Sequence, residues 1–172
     1  MPRLAVACAL ILAACGTPEG RAEQDEAAAR YRIGPDGAGG LSAQTPFTVP
    51  AIERAFPGLE VVTVSVSSAG LPAFHIREAG STAPLYIVTP DWTRGYAGAV
   101  TTTSPSVSGP GGLRAGVSRL SDAPTGLTAT CAAPETPGEI TLTCEAGRLR
   151  LEFTGAGNDR LLARQTYLPP LP

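Results

Sequence analysis

Apolar residues recur along this chain with two periods, and the switch between them marks its elements. In residues 47–58, FTVPAIERAFPG, the side chains of Ile52, Ala55 and Phe56 share one face at i, i+3, i+4 spacing, which predicts a short helix. Pro50 suits its first turn, where a missing N–H costs nothing, and Pro57-Gly58 stops it. So short a helix must be held by packing on a sheet. From Glu60 the period becomes two. Val62, Val64 and Val66 point one way, and Val61, Thr63 and Ser65 the other. In residues 73–78 Phe74 and Ile76 are expected inward, with His75 and Arg77 outward. Residues 84–89, 95–103 and 161–168 are further strand candidates. Alternation of this kind predicts antiparallel sheet with one wet face.

The sharpest register is in the C-terminal part. Ile140, Leu142 and Cys144 alternate with polar residues, as do Leu149, Leu151 and Phe153. A two-residue turn at Ala146-Gly147 would pair Cys144 with Leu149, Leu142 with Leu151 and Ile140 with Phe153. All six apolar side chains then share a face, which a one-residue slip would destroy. Leu127, Ala129 and Cys131 form a similar face upstream, and reversal around Pro137-Gly138 brings Cys131 opposite Cys144. The expected fold class is therefore α+β, sheet-dominated, mainly antiparallel, with one or two short helices. GAGGLSA at residues 37–43 also resembles GPGGLRA at residues 109–115. Either the domain is internally duplicated, or a Gly-rich composition produced the match.

The N-terminal end follows different rules. Arg3 precedes an apolar run of about 11 residues, well short of the roughly 20 needed to span a bilayer. A charged start, a short apolar core and small residues at its end read as a secretory signal. Its last residues, Leu12-Ala13-Ala14-Cys15, look like a bacterial lipobox. That resemblance implies cleavage before Cys15, a diacylglyceryl thioether on its sulfur and acylation of the freed amine. Two or more acyl chains make a stable anchor. Gly16 stands where an Asp would retain a lipoprotein in the inner membrane, so the expected location is the periplasmic face of the outer membrane. Residues 16–40 are polar and small, with no apolar stripe to bury. The expected organisation is a signal peptide at 1–14, a lipidated Cys and flexible tether at 15–40, and one compact periplasmic domain at 41–172.

Composition narrows the chemistry. The formal charge is −2, and all 13 basic residues are Arg, so nothing suggests the concentrated basic surface of a nucleic-acid-binding protein. With Cys8 in the signal and Cys15 lipidated, Cys131 and Cys144 remain, and a disulfide between them is expected in an oxidising compartment. Zinc would want four ligands, and His75 is the only histidine, so neither metal nor cofactor is expected. Ser67, Ser68 and Asp91 could be imagined around His75 as a hydrolytic triad, but no nucleophile-elbow pattern surrounds either serine. Asp91-Trp92-Thr93-Arg94 lies between two strand candidates and joins an aromatic to charges of both signs. It reads as a hairpin whose Trp92 covers the core edge, or as a ligand loop carried by Asp91, Trp92 and Arg94. Gly109-Pro110-Gly111-Gly112 lacks the P-loop lysine and reads as a turn.

Taken together, the lipobox, the entry GAGGLSAQTP, the helix AIERAFPGLEV, the strand GAVTTTSPSV and the Cys131/Cys144 pair resemble the sigma-E-regulated bacterial lipoproteins, a family built on a domain of unknown function. The resemblance implies an envelope lipoprotein linked to envelope stress, and it carries over no catalytic residue. The expected role is non-catalytic binding or structural support, with the membrane engaged through the lipid and a protein or lipid partner in the envelope. A small-ligand or lipid carrier would need a large apolar cavity between helix and sheet. An envelope hydrolase would need polar groups converging on His75.

Overall fold

A computed structural model describes residues 31–66, 71–136 and 138–170 of the chain. A two-residue hairpin, β1 (Ile33–Gly34) with β2 (Gly37–Ala38), precedes helix α1 (Val49–Ala55). Four strands follow: β3 (Glu60–Val66), β4 (Leu71–Arg77), β5 (Tyr86–Pro90) and β6 (Ala97–Thr102). After short turns come β7 (Cys131–Ala132), β8 (Ile140–Ala146), β9 (Leu149–Thr154) and β10 (Leu161–Tyr167). β3 to β10 form one antiparallel eight-stranded sheet in the order 3, 4, 5, 6, 10, 9, 8, 7. The sheet-dominated α+β expectation is met.

α1 forms where the spacing predicts it. Thr48 is its extended N-cap residue, Pro50 lies in its first turn, and Ile52, Ala55 and Phe56 are buried. Phe56 packs against Tyr86 with ring centroids 5.1 Å apart, and Phe47 against Phe74 at 4.3 Å. One sheet face carries the core: Phe74, Ile76, Val88, Val100, Leu151 and Phe153 are all buried on it. Val61 packs on the same side, so β3 sets Val61, Thr63 and Ser65 on the core side, where Thr63 and Ser65 stay exposed beyond the core, and leaves Val62 and Val64 with His75 and Ile87 on the outer face.

The two meanders, β3–β6 and β7–β10, are related by a pseudo-two-fold axis. It runs between Thr101 and Thr166, which pair across β6 and β10 with their hydroxyls 3.1 Å apart. Thr102↔Gln165 and Val100↔Tyr167 flank that pair symmetrically. Each meander has a bulge near the start of its last strand, skipping Gly98 in β6 and Ala163 in β10. The segments after the two Gly-rich motifs dock alike. Phe47 N–H donates to the Gly95 carbonyl and Leu120 N–H to that of Arg160, each at 2.9 Å. Ala97 and Leu162 donate to the carbonyls of Thr45 and Ser118 at 3.0 and 2.8 Å. Gly39 and Gly111 both have positive φ, and Leu41 and Leu113 are both buried. The duplication read from the motifs thus has a structural counterpart. The halves diverge after the motif: the first forms α1, and the second only 3-10 turns at Leu120–Asp122 and Thr125–Leu127.

Three expectations need correction. Residues 31–40, assigned to the tether, are part of the domain: Tyr31, Ile33 and Ala38 are buried, and backbone bonds from Ile33 to Ser108 and from Ser108 to Tyr31 hold them. Their alternation with Arg32 is too brief to register as a pattern. The expected strand through Leu127, Ala129 and Cys131 shrinks to two residues, because Leu127 sits in a 3-10 turn and Ala129 is exposed. In the β8–β9 hairpin the turn is Gly147-Arg148, not Ala146-Gly147, so Cys144 pairs with Leu151 and Leu142 with Phe153. Gly147 takes φ +61 at the first turn position, as a type II′ hairpin requires. The register moves by two residues for Leu142 and Cys144, which keeps both on the core face, while a bulge at Thr141 sets Ile140 opposite Thr154 instead of Phe153. Cys131 does lie opposite Cys144, and the two are disulfide-bonded. The signal segment, Cys15, Ser67, Ser68 and Pro137 lie outside the described residues.

Candidate functional site: the Asp91 hairpin and the open sheet face

Asp91-Trp92-Thr93-Arg94 forms the tight connection between β5 and β6, built around the Asp91 carboxylate. It accepts the Thr93 hydroxyl at 2.8 and 2.9 Å and the Tyr96 N–H at 3.3 Å. Main-chain bonds from Asp91 N–H to the Tyr96 carbonyl and from Arg94 N–H to that of Asp91 close the loop. Desolvation works against the Asp91 charge, but the hydrogen bonds from Thr93 and the Tyr96, Gly95 and Arg94 amides outweigh it and hold the carboxyl below its ordinary range. Arg94 adopts φ +62, the only positive φ outside glycine among the described residues, so the same network also holds a strained backbone. The bulge residue Gly98 lets this loop sit close. A Cβ there would lie 2.5 Å from the main chain of Asp91.

Trp92 is 84% exposed. The reading in which it covers the core edge is corrected: the hairpin turns the indole outward, and Ala97 and Phe74 are buried without it. A large apolar side chain is thus presented to solvent on a loop held by its own hydrogen bonds. Burying an indole on a partner is the usual energetic centre of an interface.

The outer sheet face is open, and its two halves differ chemically. On β3–β5, His75 stands between its cross-strand neighbours Val62 and Ile87. Burial first, and then the Arg77 charge, lowers the His75 pKa below its ordinary value, favouring the neutral imidazole. Asp91 lies in the far hairpin and bonds to Thr93, so it does not meet His75 as a triad partner would. On β8–β10 the outer face is ionic. Arg150 pairs with Glu145 through two nitrogens at 3.0 and 2.9 Å, and Arg164 pairs with Glu152. The exposed Arg150–Glu145 pair contributes at most about 1 kcal/mol, whereas Arg164 holds the partly buried Glu152 through two nitrogens. Thr143, Glu145, Arg150 and Glu152 floor a groove of about 630 Å³ walled by Thr130 and residues 132–136. The loop wall has no periodicity, so no pattern in the chain announces it.

Between helix and sheet the cavity is about 190 Å³, lined by Tyr31, Gly39, Ala55, Phe56, Leu59 and Tyr86 among others. That is smaller than the roughly 300–1,000 Å³ of small-molecule sites. The Phe56–Tyr86 ring pair packs at this cavity, with the Tyr86 hydroxyl donating to the Arg32 carbonyl at 3.0 Å. Among the described residues, no three His, Cys, Asp or Glu side chains cluster to hold a metal ion, and no helix is long and apolar enough to cross a membrane.

No protein-family model matches the sequence, and no curated protein sequence matches it. Among solved structures, the chain is similar to the crystal structure of the uncharacterized protein YfeY from Escherichia coli. The superposition has a TM-score of 0.56 at 14% identity and covers 80% of this chain and 99% of that one. At that identity, what the two proteins share is the fold.

Proposed function

We propose that this chain is an outer-membrane lipoprotein, held by acylated Cys15 on the periplasmic face, whose domain binds an envelope partner without catalysis. In this reading it acts in the response to envelope stress, as its resemblance to the sigma-E-regulated lipoproteins implies. The observation that carries the binding role is the Asp91 hairpin, which holds Trp92 at 84% exposure on a braced loop. The Cys131–Cys144 bridge supports an oxidising compartment, where such bonds persist. The environment of His75, with apolar neighbours on both sides in its row, favours binding over acid–base chemistry.

The test is complementation of a deletion strain under envelope stress with wild type, Cys15→Ala, Trp92→Ala and His75→Ala at matched protein level. Trp92→Ala and Cys15→Ala should fail, and His75→Ala should restore growth. Full activity of Trp92→Ala together with failure of His75→Ala would overturn the proposal in favour of a catalytic site.

A further inference from the structure

The two ends of the eight-stranded sheet are finished differently. The pseudo-two-fold axis makes β3 and β7 equivalent, because each is the first strand and outer edge of its meander. β7 is blunted in several ways. It has two residues, it is cross-linked to β8 through Cys131–Cys144, and Pro134 follows it closely. β3 has none of these devices. It runs for seven residues, EVVTVSV, without Pro, Gly, Lys or Arg, and is paired on one side only, from Glu60↔Arg77 to Val66↔Leu71. Among the described residues no main-chain hydrogen bond reaches β3 from its free side. Long strand edges without such devices are sites of strand addition, and isolated monomers usually disguise them.

We infer that β3 pairs antiparallel with β3 of a second copy of this chain, joining two eight-stranded sheets edge to edge. The inference does not depend on the proposed binding role. The strand complements itself. A two-fold axis at Thr63 pairs all seven residues, setting Thr63 against Thr63, Val61 against Ser65 and Val62 against Val64 of the second copy. The only charged residue, Glu60, is already neutralised within its own chain by the Arg77 Nε–H at 2.9 Å. The two Glu60 side chains would stand at opposite ends of the ribbon, about 20 Å apart at ~3.3 Å per residue. No like charges meet, and the outer-face Val62 and Val64 of each copy gain apolar neighbours. The chain already contains a join of this type. β6 and β10 unite the two meanders antiparallel, with a threonine pair on the axis.

The experiment introduces Thr63→Cys or Ser65→Cys into the full-length protein in intact envelopes, followed by mild oxidation and non-reducing electrophoresis. Thr63→Cys lies on the axis and should give a covalent dimer. Two Ser65→Cys sulfurs, about 13 Å apart by the same rise, should not join. Purified in detergent, the wild-type protein should have twice the protein mass of Val64→Lys by light scattering. The variant must keep the wild-type circular dichroism; where it does not, Val62→Lys on the same face takes its place. A wild-type monomer with no Thr63→Cys adduct would overturn the inference. So would equal cross-linking from both positions, or an adduct from position 63 to a different protein.

Discussion

Gly109→Ala is expected to be among the costliest single-methyl additions in the domain, and the cost has one identifiable source. Gly109 has φ −93° and ψ −172°, an extended backbone that alanine adopts freely, so no conformational strain is involved. The obstacle is Gln165, fully buried on β10, whose Oε1 would lie 1.9 Å from the new Cβ. That is roughly 1.5 Å inside ordinary van der Waals contact. Gln165 cannot move freely, because its Nε2 donates to the Leu113 carbonyl at 3.1 Å from within the core. Overpacking costs about 1–3 kcal/mol. Displacing the amide would leave its N–H buried without an acceptor, for roughly 1–3 kcal/mol more. Leu113 itself stays satisfied, since its carbonyl also accepts the Gly109 N–H at 2.7 Å. The expected loss is therefore about 2–6 kcal/mol, or roughly 6–24 °C in Tm for a domain of this size. Chemical and thermal denaturation of the single variants and of Gly109→Ala/Gln165→Ala form a double-mutant cycle. In the Gln165→Ala background, adding Gly109→Ala should cost less than about 1 kcal/mol, because the atom it strikes is gone. An equal loss in both backgrounds would refute the steric reasoning.

Replacing both Cys131 and Cys144 by Ala should cost about 3 kcal/mol on the loop-entropy account for a separation of 13 residues, measured by urea denaturation. A loss below about 1 kcal/mol would show that β7 is held by other means. Because the folded-state pKa of Asp91 is depressed, its contribution to stability is present above its ordinary pKa and is lost as pH falls through the lower folded value. Amide NMR of the hairpin should show that acid transition in wild type, and Asp91→Asn should abolish it. His75 titrates below its ordinary value in the folded chain, so its protonation opposes folding once pH falls below about 6.5. His75→Ala should remove that part of the pH dependence in thermal melts while leaving stability at pH 8 within about 0.5–1 kcal/mol of wild type.

The sequence made the parity of the sheet legible more fully than its register. Phe74 and Ile76 are inward because burial on one face imposes a period of two. The same rule is blind to a two-residue shift, so it could not choose between Cys144↔Leu149 and the observed Cys144↔Leu151. That choice rests on Gly147 alone, the residue able to take φ +61 at the turn. α1 was legible because three apolar residues and two prolines agreed over about two turns. β1 was not, since two buried residues separated by Arg32 form no countable pattern. At the candidate site, Asp91, Trp92 and Arg94 stood out by composition, but the orientation of the indole depends on the hydrogen bonds to Asp91 and on the Gly98 bulge. Those are relations in space between residues that no periodicity connects.

The central claim is that Trp92 meets a partner in the envelope, and a photoreactive amino acid at position 92 tests it most directly. Irradiated in living cells under envelope stress, the protein should give a discrete adduct from position 92. Val117, exposed on a turn outside the hairpin, should give none when substituted in the same way. The absence of any adduct from position 92, or the same smear from both positions, would contradict the account.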